Sequence, residues 1–219
     1  HKDVGSSYTY GVGLPEADYD HAGCIVIWGT NPHATGVRHV DPIKKAVARG
    51  AKLIVVDPRR IPLATGAAAW LRVKPSADMP LAFGLINRVI DRELYDADFL
   101  TRWTNAPFLV RADNGKLVTE DDIDSKGSPD KYVAWDGDRD APAVYDPARV
   151  GYEPESTKPV LDGAWQLAAA GGNRLDCTTV FARLKRIVAP WTPEKTARET
   201  WIPEEKIVEA ADMIGTSHP

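Results

Sequence analysis

Over roughly the first hundred positions, unbroken apolar runs of strand length alternate with stretches of helical period. "CIVIW" (24–28) shows no polar alternation, so a strand buried on both faces is expected there. "KLIVV" (52–56) reads the same way, and a third strand is expected over 69–73. Between the first two, positions 37–49 carry Val40, Ile43, Lys44 and Val47 on one helical stripe, and Gly50 is a helix-stop residue. The strongest helix covers 78–94, where Leu81, Leu85, Ile86, Val89 and Ile90 recur at helical spacing and Ser76 or Asp78 is placed to cap it. Residues 1–23 have no helical period and read as an extended lead-in. Strands alternating with helices predict an α/β fold: a doubly wound, mainly parallel, Rossmann-like sheet with right-handed crossovers.

The pattern changes after about residue 105. "FLVRADNGKLVT" has two strand-like arms around Asp113-Asn114-Gly115, and "KYVAWDGDRDAPAVYD" offers a second hairpin around residues 136–140. Residues 146–176 read as irregular. Helices resume with an apolar face of Val180, Phe181, Leu184, Ile187 and Val188, a start at Thr192-Pro193-Glu194, and a last helix in "IPEEKIVEAADMIG". The expected organisation is one domain over 1–219 that carries a β-hairpin-rich insertion near 106–165, its least regular part.

Composition narrows the classes of function. With 219 residues, 43% apolar, 26% charged and a net charge of −4, the chain has the make-up of an ordinary globular protein. No basic cluster suggests a nucleic-acid surface, and no apolar run approaches the roughly 20 residues of a membrane helix. The two cysteines, Cys24 and Cys177, form no Cys-x-x-Cys pair, and the histidines show no metalloprotease spacing, so no metal ligand is assigned. The chain opens on His1 rather than Met and shows no signal-peptide pattern. It is therefore read as a piece of a longer polypeptide whose location, cytoplasmic or exported, stays open.

Three turns follow the three expected parallel strands, and ligands of open α/β sheets gather at such carboxyl ends. In "WGTNPHATG", Gly29 lets backbone approach a phosphate, and Thr30, Asn31 and Thr35 add small hydrogen-bonding groups. A helix beginning near Gly36 would add free amides and a positive dipole end. The turn suits a pyrophosphate, or it is a plain strand-to-helix connection. It lacks the Gly-x-Gly-x-x-Gly pattern of NAD-binding folds. Asp57 closes the second strand, either as an acceptor for ribose hydroxyls or as a turn former ahead of Pro58, and Arg59 and Arg60 are placed for phosphate or base. In "VKPSADMP", Asp78 is either a helix cap or a carboxylate for guanine, whose N1–H and exocyclic amine form a donor pair that adenine lacks.

In this order and spacing, "IVIWGTNP", "GAKLIVVDPRR" and "VKPSADMPLAFGLINRVI" resemble the molybdopterin oxidoreductases of the dimethyl sulfoxide reductase family. "LYDADFLTRWTN" and "WTPEKTARETWIPEEKIVEAADMI" are similar to the family as well. The resemblance covers 17–105 and 178–216, and the hairpin-rich section between is less typical. It implies two molybdopterin guanine dinucleotides holding one molybdenum or tungsten atom, with the present chain binding one dinucleotide. By that resemblance Trp28, Gly29, Thr30, Asn31, Pro32 and Thr35 line the pyrophosphate and ribose. Asp57, Pro58, Arg59 and Ile61 continue the nucleotide site, and Ser76 and Asp78 meet the guanine, with Ala77 small enough for close approach.

The resemblance also implies parts outside this sequence: an iron–sulfur cluster in an amino-terminal domain, a metal-ligating residue ahead of the first turn, a second pterin domain, and electron-transfer subunits as partners. No catalytic residue is assigned here. The reading is then a cofactor-binding domain of an oxidoreductase that performs oxygen-atom transfer or a related two-electron reaction. Two alternatives stay open: a metal-free structural or electron-transfer scaffold derived from the same family, and a stand-alone nucleotide-dependent enzyme, for which no acid, base and nucleophile set is found.

Overall fold

The structure, a computed structural model, describes residues 17–217. The expected lead-in lies outside the described residues as far as position 16. The protein is a mixed α/β chain whose described residues divide into two compact units, one from residues 17–88 with 193–217 and the other from residues 89–192.

The first unit is built on a parallel sheet. Strands β1 (Cys24–Trp28), β2 (Lys52–Val56) and β3 (Ala69–Leu71) lie in the order β1-β2-β3, with Cys24 opposite Lys52 and Ile54 opposite Ala69. Three α-helical segments belong to it so far along the chain: a single turn α1 (Pro32–Thr35), α2 (Val40–Ala48) and α3 (Asp78–Asp91), whose last residues pass into the second unit. β2 is the central strand. Its Leu53, Ile54, Val55 and Val56 are all buried, each contributing about 1.5–3 kcal/mol relative to exposure. Leu53 and Val55 join Ile25, Ile27, Ile43 and Ala46 in one cluster beneath α2.

Four expectations change here. β1 is buried on one face only, through Ile25 and Ile27, while Val26 is 38% exposed, because β1 is the edge of the sheet among the described residues. The third strand ends at Leu71 rather than 73. The expected helix over 37–49 starts as a 3-10 turn, Val37–His39, and becomes α-helical only at Val40. The strong helix ends at Asp91, with Glu93 in the left-handed region just beyond it.

The second unit is antiparallel. In chain order it holds α4 (Ala97–Trp103), β4 (Leu109–Arg111), α5 (Glu120–Ile123), β5 (Tyr132–Asp136), β6 (Ala141–Asp146), β7 (Gly151–Glu153), β8 (Ala164–Ala168), β9 (Arg174–Thr179) and α6 (Val180–Val188). The sheets run β4-β9-β8 and β5-β6-β7. The β5–β6 hairpin around 137–140 is present as expected. The Asp113-Asn114-Gly115 turn also forms, with Gly115 at φ +72° and the Arg111 amide donating to the Lys116 carbonyl at 2.9 Å. The sheet neighbour of β4 is nevertheless β9, far along the chain.

Residues 146–176, expected to be irregular, hold β7, β8 and the start of β9, so antiparallel pairing extends past 165 to Thr179. Six of the nine strands are antiparallel, so "mainly parallel" describes the first unit and not the chain. Ile187, expected on the apolar face of α6, is 54% exposed, while Phe181 and Val188 carry the burial.

The first unit closes with α7 (Pro193–Thr200) and α8 (Glu204–Thr216), which pack on each other, α8 also lying beside β3. A Cβ at Gly84 of α3 would collide with the Thr196 side chain, so that glycine permits the close approach of α7. Arg88 and Asp212 tie α3 to α8 through bonds of 2.8 and 3.0 Å.

Candidate cofactor-binding site

The turns after β1, β2 and β3 meet at the carboxyl end of the parallel sheet. Gly29 leaves β1 at φ +61° while its amide donates to the Val56 carbonyl at 2.9 Å. A Cβ at position 29 would meet nothing within 4 Å. Backbone conformation therefore favours the glycine, and the space above it is open. Trp28 Nε1 donates to Asp78 Oδ1 at 2.6 Å, joining the first turn to the third.

Asp78 was weighed as a helix cap. The Leu81 amide instead closes on the Ala77 carbonyl at 3.1 Å, which puts Ala77 at the cap position and Asp78 in the first turn of α3. There the carboxylate complements the helix dipole, and its side chain is turned to the Trp28 indole. Ser76, directly before, holds a left-handed backbone at φ +69°, and Ala77 is buried.

Asn31 carries the most telling atom of the site. Its Oδ1 is buried and has no hydrogen-bond partner among the described residues. Leaving a buried acceptor unpaired costs about 1–3 kcal/mol, a cost that a hydroxyl or N–H donor from a ligand would remove. Asn31 stands at the start of α1, but its side chain makes no capping bond. The expected helix start near Gly36 is present as the 3-10 turn Val37–His39, and this earlier single turn, initiated by Pro32 and ended by Gly36, precedes it. The Ala34 and Thr35 amides turn back to the Asn31 carbonyl at 2.9 and 3.0 Å, so no long helix points its dipole at this turn. Thr30 and Thr35 are exposed, and Pro32 is buried.

At the second turn Asp57 is 2% exposed. Its Oδ1 accepts from the Arg59 amide at 2.7 Å, an Asx turn that fixes the path of Pro58 and Arg59. Trp70 Nε1 donates to the Asp57 carbonyl at 2.9 Å, and the Arg60 guanidinium lies 5.8 Å from the Trp70 ring centroid. Arg59 remains mostly exposed. Ile61 is 3% exposed in the core cluster with Ile25 and Ile43, so its side chain does not reach the turn.

A cavity of about 420 Å³ lies beside these turns, lined by Pro58, Arg72, Val73, Pro75 and Trp201. Sequence reasoning missed Arg72, Lys74 and Trp201. The last had one legible signal, a Trp directly after a helix where chain-stop positions favour glycine. A larger cavity, about 740 Å³, belongs to the second unit and includes Arg102, Arg149, Tyr152 and Lys158. None of the predicted site residues lines it.

Among the described residues no three His, Cys, Asp or Glu side chains converge as a metal site. Cys24 and Cys177 are free thiols, and burial pushes both up from the ordinary cysteine value, away from the thiolate that binds metals. Cys24 is half-buried rather than buried.

Comparison with known proteins defines the class. The family model for molybdopterin oxidoreductases matches residues 2–214, and the chain belongs to that family. Among its relatives, the perchlorate reductase subunit alpha of Dechloromonas aromatica is 30% identical over 93% of this chain and 24% of the relative. The dimethylsulfide dehydrogenase subunit alpha of Rhodovulum sulfidophilum is 31% identical over 91% of this chain and 22% of its own length. The chain thus spans about a quarter of these relatives. The solved structure of acetylene hydratase from Pelobacter acetylenicus shares the fold, with a TM-score of 0.55 and 22% identity over 93% of this chain and 18% of that one. Membership implies a molybdenum–pterin cofactor and removes the stand-alone nucleotide enzyme from the alternatives.

The residues present fit an arm of that cofactor. The Asn31 acceptor awaits a donor, the space over Gly29 is open, and Asp78 keeps its second oxygen for a further donor.

Proposed function

We propose that the first unit is the half of a doubly wound nucleotide-binding domain that seats one molybdopterin guanine dinucleotide, and that the second unit is an insertion in it. The observation that carries this reading is the buried, unpartnered Asn31 Oδ1 at the carboxyl end of a parallel sheet, beside two more polar turns. In this reading the turn Trp28–Thr35 holds the pyrophosphate and ribose, with Gly29 giving access and Asn31 accepting from a ligand donor. Asp57 acts from beneath: it fixes the turn that presents Pro58 and Arg59. Ser76 and Asp78 meet the guanine, where a carboxylate accepts the N1–H and exocyclic amine together.

The whole protein is an oxidoreductase that carries out oxygen-atom transfer or a related two-electron reaction, and its relatives bear the names of reductases and dehydrogenases rather than of scaffolds. The metal and its dithiolenes supply that chemistry when bound, and this domain positions one arm of the cofactor. An iron–sulfur cluster, the metal-ligating residue and the second dinucleotide's domain belong to other parts of the parent. Because several relatives are named as alpha subunits, electron-transfer subunits are the expected partners.

Asn31→Leu in the full-length parent tests the first turn. The change is nearly isosteric and removes the acceptor that a ligand donor would use. A loss near 1.4 kcal/mol lowers cofactor affinity about tenfold. Retained cofactor per folded protein, read as released GMP, should fall accordingly, and an unchanged amount would remove Asn31 from the pyrophosphate site.

A further inference from the structure

Trp201 has a backbone that its side chain does not explain. It follows α7 with its amide donating to the Ala197 carbonyl at 3.0 Å, the bond of a left-handed helix stop. Its φ is +63°. Such positions are usually glycine and sometimes asparagine, and a bulky residue there is strained. The indole gains no compensating burial within the unit, since Trp201 is 69% exposed. Its neighbours are rigid: Thr200 is fully buried with its hydroxyl donating to the Thr196 carbonyl at 2.7 Å, and Ile202 is 2% exposed. The Lys74 amide donates to the Thr200 carbonyl at 2.9 Å, stitching the turn after β3 to this helix stop. Lys74 Nζ lies 5.2 Å from the centroid of the indole. A strained, exposed aromatic ring is thus held on a fixed base, at the wall of the 420 Å³ cavity formed with Pro58, Arg72, Val73 and Pro75.

The strand order decides what that cavity meets. With a pyrophosphate at the end of β1 and a ribose at the end of β2, a nucleotide laid across the sheet brings its base to the end of β3, roughly 10 Å on at the usual strand spacing. Arg72 and Val73 leave β3 at that place, and no carboxylate lines the cavity. Resting on the guanine dinucleotide reading above, we infer that Trp201 is a stacking platform for the purine base of the bound dinucleotide, with Asp78 choosing guanine by its edge and Trp201 gripping the ring by its face. Backbone strain at functional positions persists where the surroundings hold it, and here the buried flanks of Trp201 do so.

The test uses the full-length parent prepared in a host that cannot make the pterin, titrated calorimetrically with GMP and with AMP. Base–aromatic stacking accepts any base, and its usual strength corresponds to between about five- and 150-fold in affinity. Trp201→Gly should weaken GMP and AMP binding by the same factor within that range, while the melting temperature holds or rises because glycine relieves the left-handed backbone. Trp201→Phe should bind like wild type. Trp201→Leu, which keeps an apolar side chain without a ring, should lose affinity as the glycine variant does, and it serves if the glycine variant does not fold. GMP affinity equal to wild type in the glycine and leucine variants would overturn the inference and leave Trp201 as a packing contact for another part of the parent. A wild-type protein that binds neither nucleotide, while Trp201 variants melt normally, would overturn the guanine reading and this inference together.

Discussion

The second unit and the carboxyl end of the first unit's sheet treat their polar groups in opposite ways. In the second unit charges are matched locally. Arg111 bonds Asp113 at 2.8 Å and Asp122 at 2.5 Å, Asp136 accepts from Arg139 at 2.5 Å and from the Asp138 and Lys158 amides, and Lys131 and Lys185 reach Asp146 and Asp162. In the first unit the carboxyl end of the sheet leaves groups open: an unpaired buried Asn31 Oδ1, left-handed Ser76 and Trp201, an exposed indole and an exposed Arg72. Self-matched charges hold a fold together, whereas open polar and aromatic groups gathered at one sheet end are what the proposed cofactor site requires. Tyr152 is the exception in the second unit, where its hydroxyl is buried without a partner among the described residues and burial pushes its pKa well up.

This contrast predicts that the two units respond separately to damage. The largest effect should come from the core of the second unit. Leu109 is fully buried with Val118, Val133 and Leu167, and Leu109→Ala should cost about 2–5 kcal/mol of stability, measured by denaturant unfolding. GMP affinity per folded molecule should stay at the wild-type value, and a matching loss would show that the second unit helps build the site.

Acid should act next, again on the second unit. The Arg139 guanidinium holds the Asp136 carboxyl below the ordinary range, Arg111 does the same for Asp113, and the Ala148 amide, with Lys131, does so for Asp146. A carboxyl depressed in the folded state stabilises the fold above the ordinary carboxylate value near 3.9, and that stability is lost as pH falls through the lower folded value. Amide protection factors, taken relative to the intrinsic exchange rate at each pH, should therefore fall around β5 and β6 on acidification below about pH 4, and Asp136→Asn should flatten the response. Protection there that does not change with pH would count against the matched-charge description.

The smallest effect is expected at Ile187, exposed on α6, where Ile187→Ser should change stability by no more than about 0.5 kcal/mol. A larger loss would show that this side chain is covered in the protein as tested.

Much of the first unit was legible because its signals are local. An uninterrupted "KLIVV" is what a central parallel strand requires, and β1, β2, α3 and α8 follow the periods read from the chain. β1 misled as to its outer face because an edge strand and a central strand share one apolar pattern, and only pairing separates them. β8 and β9 were missed for a related reason. In "AWQLA" only Leu167 is buried, and in β9 the inward positions Leu175, Cys177 and Thr179 include one polar residue and a single large aliphatic one, a weak apolar alternation. The Gly171-Gly172-Asn173 turn that joins these two strands was the available signal. At the proposed site, Asn31 and Asp78 stand out from turn chemistry, whereas Trp28 is named by the family resemblance alone, and its bond to Asp78 joins turns 50 positions apart. Ile61 lies in the core, because a residue's turn position says little about where its side chain points. Trp201 lay outside the reading, since it reaches the cavity from 129 positions beyond Arg72 along the chain, a distance no local motif spans.

The most direct test of the account is Asp78→Asn in the full-length parent, with guanine dinucleotide content measured per folded protein. Asparagine keeps the shape but turns one acceptor into a donor facing a guanine donor. Hydrogen bonds to charged groups contribute roughly 1.5–3 kcal/mol each, so retention should fall about tenfold or more. Asparagine still accepts from the Trp28 indole through its remaining oxygen, so the first and third turns stay joined and the fold is expected to survive. Dinucleotide content equal to that of the wild type would contradict the assignment of Asp78 to guanine and, with it, the claim that these three turns form the cofactor site.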